Sequence, residues 1–390
     1  MAKRNLATVA PVVRGLLAEP SDNGDTPYRR VIIQSLTHPE ALGFASSLPK
    51  ADAKQWPAPL KKSDKPPLCA GAIADEADTD SLRESLREAV DGYVAEHGAR
   101  PDVVCLPDMG VLQVVESGAD ADLPLHNKVA LVTGAAGAIG LGICRGLLKK
   151  GCCVAATDLP GERLGHLVEQ LKPVAGDRII GVAMDVTDKA SVSAAFEDVI
   201  GRWGGVDIVV PNAGIALVSK LVDMDTEAFR KVMKVNVEGT LLTLAEAGRH
   251  LILQGTGGDI IVVSTKNVPS PGAGFGAYSC TKAAAHQLGR IASLELAPFD
   301  IRVNMIAPDA VFGKGEFRSG LWAEAGPDRM RARGLTEEGL QDYYRGRNLL
   351  KARVTAEHCA NAVLFFAMRQ TPTTGATIPV DGGLPDATPR

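Results

Sequence analysis

Val129-Ala130-Leu131-Val132-Thr133 runs directly into Gly134-Ala135-Ala136-Gly137-Ala138-Ile139-Gly140, and a helical pattern continues through Leu141 to Lys150. An apolar β-branched run, a cluster of small residues and a helical pattern read in order as a strand, a tight turn and a helix start. Small side chains let the backbone turn sharply and approach a ligand, while the helix N-terminus offers unpaired amides to negative charge, as a pyrophosphate requires. Gly134, Ala136, Ala138, Ile139 and Gly140 are therefore candidate cofactor contacts. At the end of the next apolar run, Ala155-Ala156-Thr157-Asp158 sets a carboxylate about 20 residues beyond the loop, where a dinucleotide fold binds its adenosine ribose. Placed there, Asp158 accepts hydrogen bonds from both ribose hydroxyls and repels a 2′-phosphate, favouring NAD over NADP. The plainer alternative is a helix-capping aspartate.

Further apolar runs alternate with helical segments: Ile179 to Asp185, Ile208 to Pro211, Asp259 to Ser264, and Ile301 to Ala307. Strands this hydrophobic are buried on both faces, which predicts an α/β fold with a Rossmann-like, doubly wound parallel sheet. Asp185, with Val186 after it, stands at the end of the third strand, either against an adenine edge or in a simple turn.

Before this region the pattern differs. Val31 to Gln34 reads as a short strand and Pro39 to Ser47 as a short helix, while Leu48 to Pro67 is rich in Lys, Pro and Asp and reads as an exposed connection. An amphipathic helix runs from about Ser81 to His97, capped by Thr79 or Asp80, with Leu82, Leu86, Ala89, Val90, Tyr93 and Val94 on one face. Val103 to Leu106 and Val111 to Val115 supply strands for it to cover. We expect a smaller N-terminal α/β domain over 1–117, a polar linker at 118–127 and a catalytic domain over 128–390.

Composition limits the partners. With 45% hydrophobic residues, 23% charged residues and a net charge of -4, the 390-residue chain has the balance neither of a disordered protein nor of a nucleic-acid binder. The segment from Met1 to Leu17 lacks the continuous apolar stretch of a signal peptide, and no run reaches the ~20 apolar residues of a membrane span. The seven cysteines show no paired Cys-x-x-Cys spacing, which suits a reduced, cytoplasmic protein. No His and Glu cluster at metal-ligand spacing occurs in the N-terminal segment, where His38 and His97 stand alone, so no metal is expected.

The glycine loop, Asn212-Ala213-Gly214 after the fourth strand, Asn236, Ser264 and Tyr278-Ser279-Cys280-Thr281-Lys282 resemble, in order and spacing, the short-chain dehydrogenase/reductase family over about Lys128 to Gly383. The chemistry fits those residue types. Removing hydride from a carbinol requires its hydroxyl proton to leave, and a phenol can take it only if its pKa falls below the ordinary ~10. Lys282, on the same helical face as Tyr278, would supply the positive charge and bind the nicotinamide ribose. Ser264 would hold the substrate oxygen. The resemblance further implies that Asn236 supports a water relay from Lys282, that Asn212, Ala213, Gly214 and Pro308 lie along the cofactor, and that the chain forms dimers or tetramers. Two departures stand out: Ala138 where the family usually has glycine, and Pro308-Asp309 where it usually has Pro-Gly.

Ser264-Thr265-Lys266-Asn267, Pro308-Asp309-Ala310-Val311-Phe312, Tyr344 to Leu350 and Pro379 to Gly383 are similar, more narrowly, to the dehydrogenase half of bifunctional rhamnulose-phosphate aldolase/lactaldehyde dehydrogenase proteins. The N-terminal segment more faintly resembles a shortened aldolase-type region, without its metal cluster. Between Asp309 and Arg353, aromatic residues interleave with arginines in a segment placed to hang over the strand ends as a lid. Lys266, Asn267, Asp309, Trp322 and Arg345 are candidate substrate contacts, although any one arginine here also reads as a solvated helical face. The leading expectation is a NAD-dependent dehydrogenase of a small polyol, sugar derivative or hydroxy acid. Oxidation of a short hydroxyaldehyde to an acid and a non-catalytic NAD-binding scaffold are the alternatives.

Overall fold

The computed structural model describes residues 5–47, 56, 58, 60–61, 63–71, 79–313 and 315–387. Most of the expected connection from 48 to 67 lies outside them, while Thr79 and Asp80, expected to cap the amphipathic helix, form its first two residues instead. The chain opens with a helix that the sequence reading missed, α1 (Leu6–Leu17), whose first turn is capped by the Asn5 side chain accepting from the Thr8 amide. Next come a small antiparallel ladder of β1 (Glu19–Pro20) and β2 (Tyr28–Arg29), then β3 (Ile32–Leu36) and α2 (Pro39–Ser47). They are followed by β4 (Leu68–Cys69), α3 (Thr79–His97), β5 (Val103–Leu106) and β6 (Gly110–Val115). These strands form a four-stranded sheet in the order β3-β6-β5-β4. Helix α3 lays Leu82, Leu86, Val90 and Tyr93 over Val104, Leu106 and Leu112 of that sheet, as its amphipathic pattern requires.

The second sheet is built from β7 (Val129–Thr133), β8 (Cys153–Asp158), β9 (Ile179–Ala183), β10 (Ile208–Val210), β11 (Gly258–Val263), β12 (Ile301–Pro308) and β13 (Thr377–Val380). Its seven strands lie in the order β13-β12-β11-β10-β7-β8-β9, all parallel. Helices α4 (Ala138–Lys149), α5 (Glu162–Ala175) and α12 (Ala356–Ala367) bury one face, with Leu147, Leu167 and Val363 in its core. The other face packs α6 (Lys189–Trp203), α8 (Gly239–Gln254) and α9 (Gly276–Leu296), and Phe196, Val199, Leu244 and Leu251 fill it. The chain leaves β7 toward β8 and β9, then crosses back to β10. That reversal opens a crevice at the carboxyl ends of β7 and β10, where doubly wound sheets bind ligands. Between α6 and α8 lies the short α7 (Thr226–Met233), and α10 (Gly320–Arg333) and α11 (Glu337–Arg347) form an excursion after β12.

Helix α1 packs on α6 and α8, so the N-terminal segment shares a core with the second sheet's helices. A buried arginine fixes the join. Arg14 donates to Asp207 (2.7 Å), to Gln254 (2.9 Å) and to the carbonyls of Val31 (2.7 Å) and Asn127 (3.0 Å). Asp207 also meets Arg30 at 3.0 Å and accepts from the Val129 amide at 2.8 Å. This network sits at the amino ends of β7 and β10, away from the crevice.

Candidate active site

The crevice is a cleft of about 760 Å³ lined by the glycine loop, the ends of β8 to β12 and the α10–α11 excursion. Gly134 has φ +61°, and a Cβ there would stand 2.8 Å from the Ala213 Cα, so the loop can pass the β10 end only as glycine. Asn212 closes this contact: its Nδ2 donates to the carbonyls of Thr133 (2.8 Å) and Gly134 (2.9 Å). The Thr133 hydroxyl in turn accepts from the Asn212 and Ala213 amides, both at 2.9 Å. Asn212 thus shapes the loop, while Ala213 and Gly214 line the cleft beside it.

The residues fit a dinucleotide. No side chain caps the N-terminus of α4 at Gly137, and a Cβ on Gly137 would meet only the Gly134 carbonyl oxygen, at 3.4 Å, so the space over the helix start is open. Gly134, Ala136, Ala138, Ile139 and Gly140 all line it. The extra methyl of Ala138 is accommodated against Gly313, where any Cβ would come within 2.7 Å of it. Asp158 accepts from the amides of Ala136 (2.9 Å) and Leu159 (2.8 Å) at one end of the cleft, and Arg163 donates to the Ala136 carbonyl beside it. Asp185 accepts from the Thr187 amide at 2.8 Å, closing a turn, and Asp185 and Val186 line the same end.

Tyr278 and Lys282 lie one turn apart on α9 and both face the cleft. Lys282 donates to the Val263 carbonyl at 2.9 Å, and burial holds its ammonium down at about 8. Tyr278 corrects an expectation. Burial pushes the phenol up to about 12, opposed by the Thr265 hydroxyl, so in the chain alone it stands above rather than below its ordinary value.

A second correction concerns the hydroxyl beside it. Ser264 and Thr265 follow β11 directly, and their side chains diverge as successive residues of an extended chain do. The Ser264 Oγ stands 2.9 Å from His286 Nδ1, while Thr265, absent from the expected site, is the hydroxyl that lines the cleft with Tyr278 and pulls its phenol down. Asn236 lies in a π-helical turn, Lys234–Glu238, and is wholly buried. Its amide donates to the Ile215 carbonyl and to the Thr281 Oγ1, both at 2.9 Å, and its Oδ1 accepts from the Ile215 amide at 2.9 Å. It does not line the cleft. It ties the loop after β10 to α9, and a Cβ on Gly214 would meet both Asn236 Oδ1 and Lys282 Nζ at 3.2 Å.

Pro308 and Asp309 end β12 at the cleft, and the Asp309 amide donates to the Val380 carbonyl at 3.1 Å. Lys266, Asn267 and Trp322 also line it, but Arg345 does not: it turns outward on α11 and pairs with Asp342 at 3.4 Å. Arg347 and Arg329 take its place. Trp322 stacks on Phe312 at 4.5 Å and meets Tyr344 edge-on at 4.7 Å, giving the excursion an aromatic roof. Arg329 reaches the Ala273 carbonyl at 3.3 Å and lies 4.6 Å over the Phe275 ring, pinning that roof to the segment before Tyr278.

A parallel seven-stranded sheet with a dinucleotide loop at its switch point, and a tyrosine–lysine pair facing the same crevice, defines an oxidoreductase of the Rossmann type. The family model described as short chain dehydrogenase matches residues 128–315. The chain is 33% identical to a (-)-isopiperitenol/(-)-carveol dehydrogenase of Mentha piperita, over 67% of this chain and 94% of that one. It belongs to the short-chain dehydrogenase family. The uncharacterised oxidoreductase YuxG of Bacillus subtilis (strain 168) is 28% identical over 100% of this chain, which spans 65% of that relative's length. A short-chain type dehydrogenase/reductase from Mycobacterium marinum superposes with a TM-score of 0.58 at 27% identity, covering 68% of this chain and 98% of its own. No helix among the described residues is long and apolar enough to cross a membrane.

Proposed function

We propose that the chain is a NAD-dependent dehydrogenase that oxidises a carbinol of a small polyol, sugar derivative or hydroxy acid. The observation that carries this reading is the Thr265–Tyr278 hydroxyl pair standing at the cleft beside Lys282. A nicotinamide dinucleotide, held at the α4 N-terminus and by Asp158, supplies the hydride acceptor when bound. Thr265 orients the substrate oxygen, and Tyr278 takes the hydroxyl proton as the carbinol C–H bond gives up its hydride and the C=O bond forms. Lys282 holds its charge below the phenol and passes the proton on. Asn236 acts through the loop it anchors, as a positioning residue. Asp158 supports NAD over NADP because a 2′-phosphate there would face its carboxylate. A screen of small alcohols for NAD reduction, with Tyr278→Phe as control, tests the reading; undiminished turnover by that variant would overturn it.

The second reading is oxidation of a short hydroxyaldehyde to an acid. What favours it is the resemblance to aldolase/lactaldehyde dehydrogenase proteins; the match to YuxG extends through the residues before 128 as well as the catalytic part but names no substrate. A carboxylate product supports it, and a ketone supports the first. On either reading the residues before 128 serve docking or self-assembly of a cytoplasmic dimer or tetramer. Sedimentation of the full chain reads that assembly directly.

A further inference from the structure

Building on the dehydrogenase reading, we propose that the substrate carries a carboxylate close to its carbinol, gripped by Lys266 and Arg347. The substrates are then small hydroxy acids rather than neutral polyols. Lys266 follows Thr265 directly and is only 9% exposed, yet it lines the cleft. Among the described residues its ammonium makes one hydrogen bond, a long 3.3 Å contact to the Ser270 carbonyl, and no ion pair. An ammonium has three protons to place, and burying it without a counter-charge is costly. Arg347 is half-buried and likewise unpaired. Its guanidinium lies 5.0 Å over the Tyr344 ring and, among the described residues, forms no hydrogen bond or ion pair. The ring beneath is itself packed against Trp322 and Phe312, so the guanidinium lies at the cleft over a braced aromatic ring.

The local charge balance points the same way. Burial, followed by Arg347, holds the Lys266 ammonium below its ordinary value, with Arg329 adding to the effect and Asp309 and Asp386 opposing it. Lys266, Arg347 and Arg329 thus meet Asp309 and Asp386, with Asp381 also near Asp309, in a chain whose net charge is -4. Asp309 is close enough to feel both Arg347 and Lys266 but forms an ion pair with neither, and its own carboxyl is pushed up by burial. An incoming carboxylate would satisfy the planar fork of Arg347 and the free protons of Lys266 together. Because Lys266 and Asp309 leave the ends of adjacent strands beside Thr265, that anion sits next to the carbon whose oxygen Thr265 and Tyr278 address.

Calorimetric titration of the full chain, with NADH present to prevent turnover, compares lactate, glycerate and gluconate with propane-1,2-diol, glycerol and sorbitol. The acids are expected to bind at least about tenfold more tightly than the matched neutral alcohols. That advantage should collapse in Arg347→Leu and in Lys266→Met, and survive in part in Arg347→Lys, which keeps the charge without the fork. Arg345→Leu, outside the cleft, controls for folding and should leave the acid-to-alcohol ratio unchanged. Acids that bind no better than the alcohols, or not at all, overturn the proposal, as does an advantage that persists in both Arg347→Leu and Lys266→Met. The dehydrogenase reading fails separately, through the absence of Tyr278-dependent NAD reduction with every one of the six compounds.

Discussion

Ser264 Oγ and His286 Nδ1 stand 2.9 Å apart, one helical turn beyond Lys282 on α9. Tyr278, Lys282 and His286 therefore share a stripe of that helix, and the two hydroxyls at the end of β11 are divided along it. Thr265 goes to Tyr278, at the cleft, and Ser264 to His286, behind it.

This division predicts unequal costs. Thr265→Val should lower kcat/KM by about a hundredfold with cofactor binding intact, the scale on which one oriented hydroxyl contributes. Thr265→Ser should recover most of the loss, and Ser264→Ala should cost less than about tenfold because it disturbs only the backing. Steady-state kinetics on the three variants decides it. A crippled Ser264→Ala beside an active Thr265→Val would return the role to Ser264.

Tyr278 gives a spectroscopic prediction. With its phenol pushed up to about 12 by burial, the chain alone should show no tyrosinate from this residue near neutral pH. The 295 nm difference between the parent and Tyr278→Phe should rise only at the alkaline end of a titration. Adding saturating NAD+ brings a positive ring toward the phenol and should move that rise downward. An unmoved titration would leave the base without a means of activation at working pH.

The strands that parallel sheets bury on both faces were legible because β7 and β10 are almost wholly Val, Ile, Leu and Ala, and β8, β11 and β12 carry short runs of them, although Arg302 and Asn304 interrupt β12. Among the elements that escaped, β13 and α1 did so for opposite reasons. Strand β13 is an edge, half exposed and carrying Pro379, so it lacks the apolar run that marked the others. Helix α1 carries Pro11 and Arg14 within an apolar run, and only the structure shows that the arginine is buried against Asp207. The site failed in the same local way twice. Ser264 and Thr265 are neighbours in the extended chain just past β11, and Arg345 and Arg347 are two apart on a helix. In both pairs the side chains point to different sides, and which member faces the ligand depends on the rotation of the element about its own axis. The spacing from the loop to Asp158 and from Tyr278 to Lys282 carried over because each reflects a repeat of the backbone itself.

Asp158 yields a prediction about cofactor choice. Asp158→Ala removes the carboxylate that a 2′-phosphate would face, and Arg163 lines the same end of the cleft. The ratio of kcat/KM for NADP to that for NAD should rise about tenfold or more, since relieving one like-charge contact is worth at least ~1.4 kcal/mol. An unchanged ratio would mean that the carboxylate serves only the Ala136 and Leu159 amides it bonds.

Asp207 carries the charge on which the join between the N-terminal helix and the second sheet depends. Burial pushes its carboxyl up, but Arg14 and Arg30 together pull it down further, to about 2. A carboxyl with a folded value below its unfolded value of about 3.9 stabilises fully above that value, and the contribution is lost as pH falls through the folded value. The gap is worth roughly 2–3 kcal/mol at neutral pH, and it should drain away between about pH 4 and pH 2. Asp207→Asn leaves Arg14 and Arg30 buried without their counter-charge, so it should cost about 3–5 kcal/mol at pH 7. In that variant the acid limb should flatten, because the group that takes up the proton is gone. Urea unfolding of parent and variant at steps from pH 7 down to the acid limit reads both effects. Equal slopes below pH 4 would show that other carboxylates govern acid unfolding and that the Arg14–Asp207 join contributes little to it.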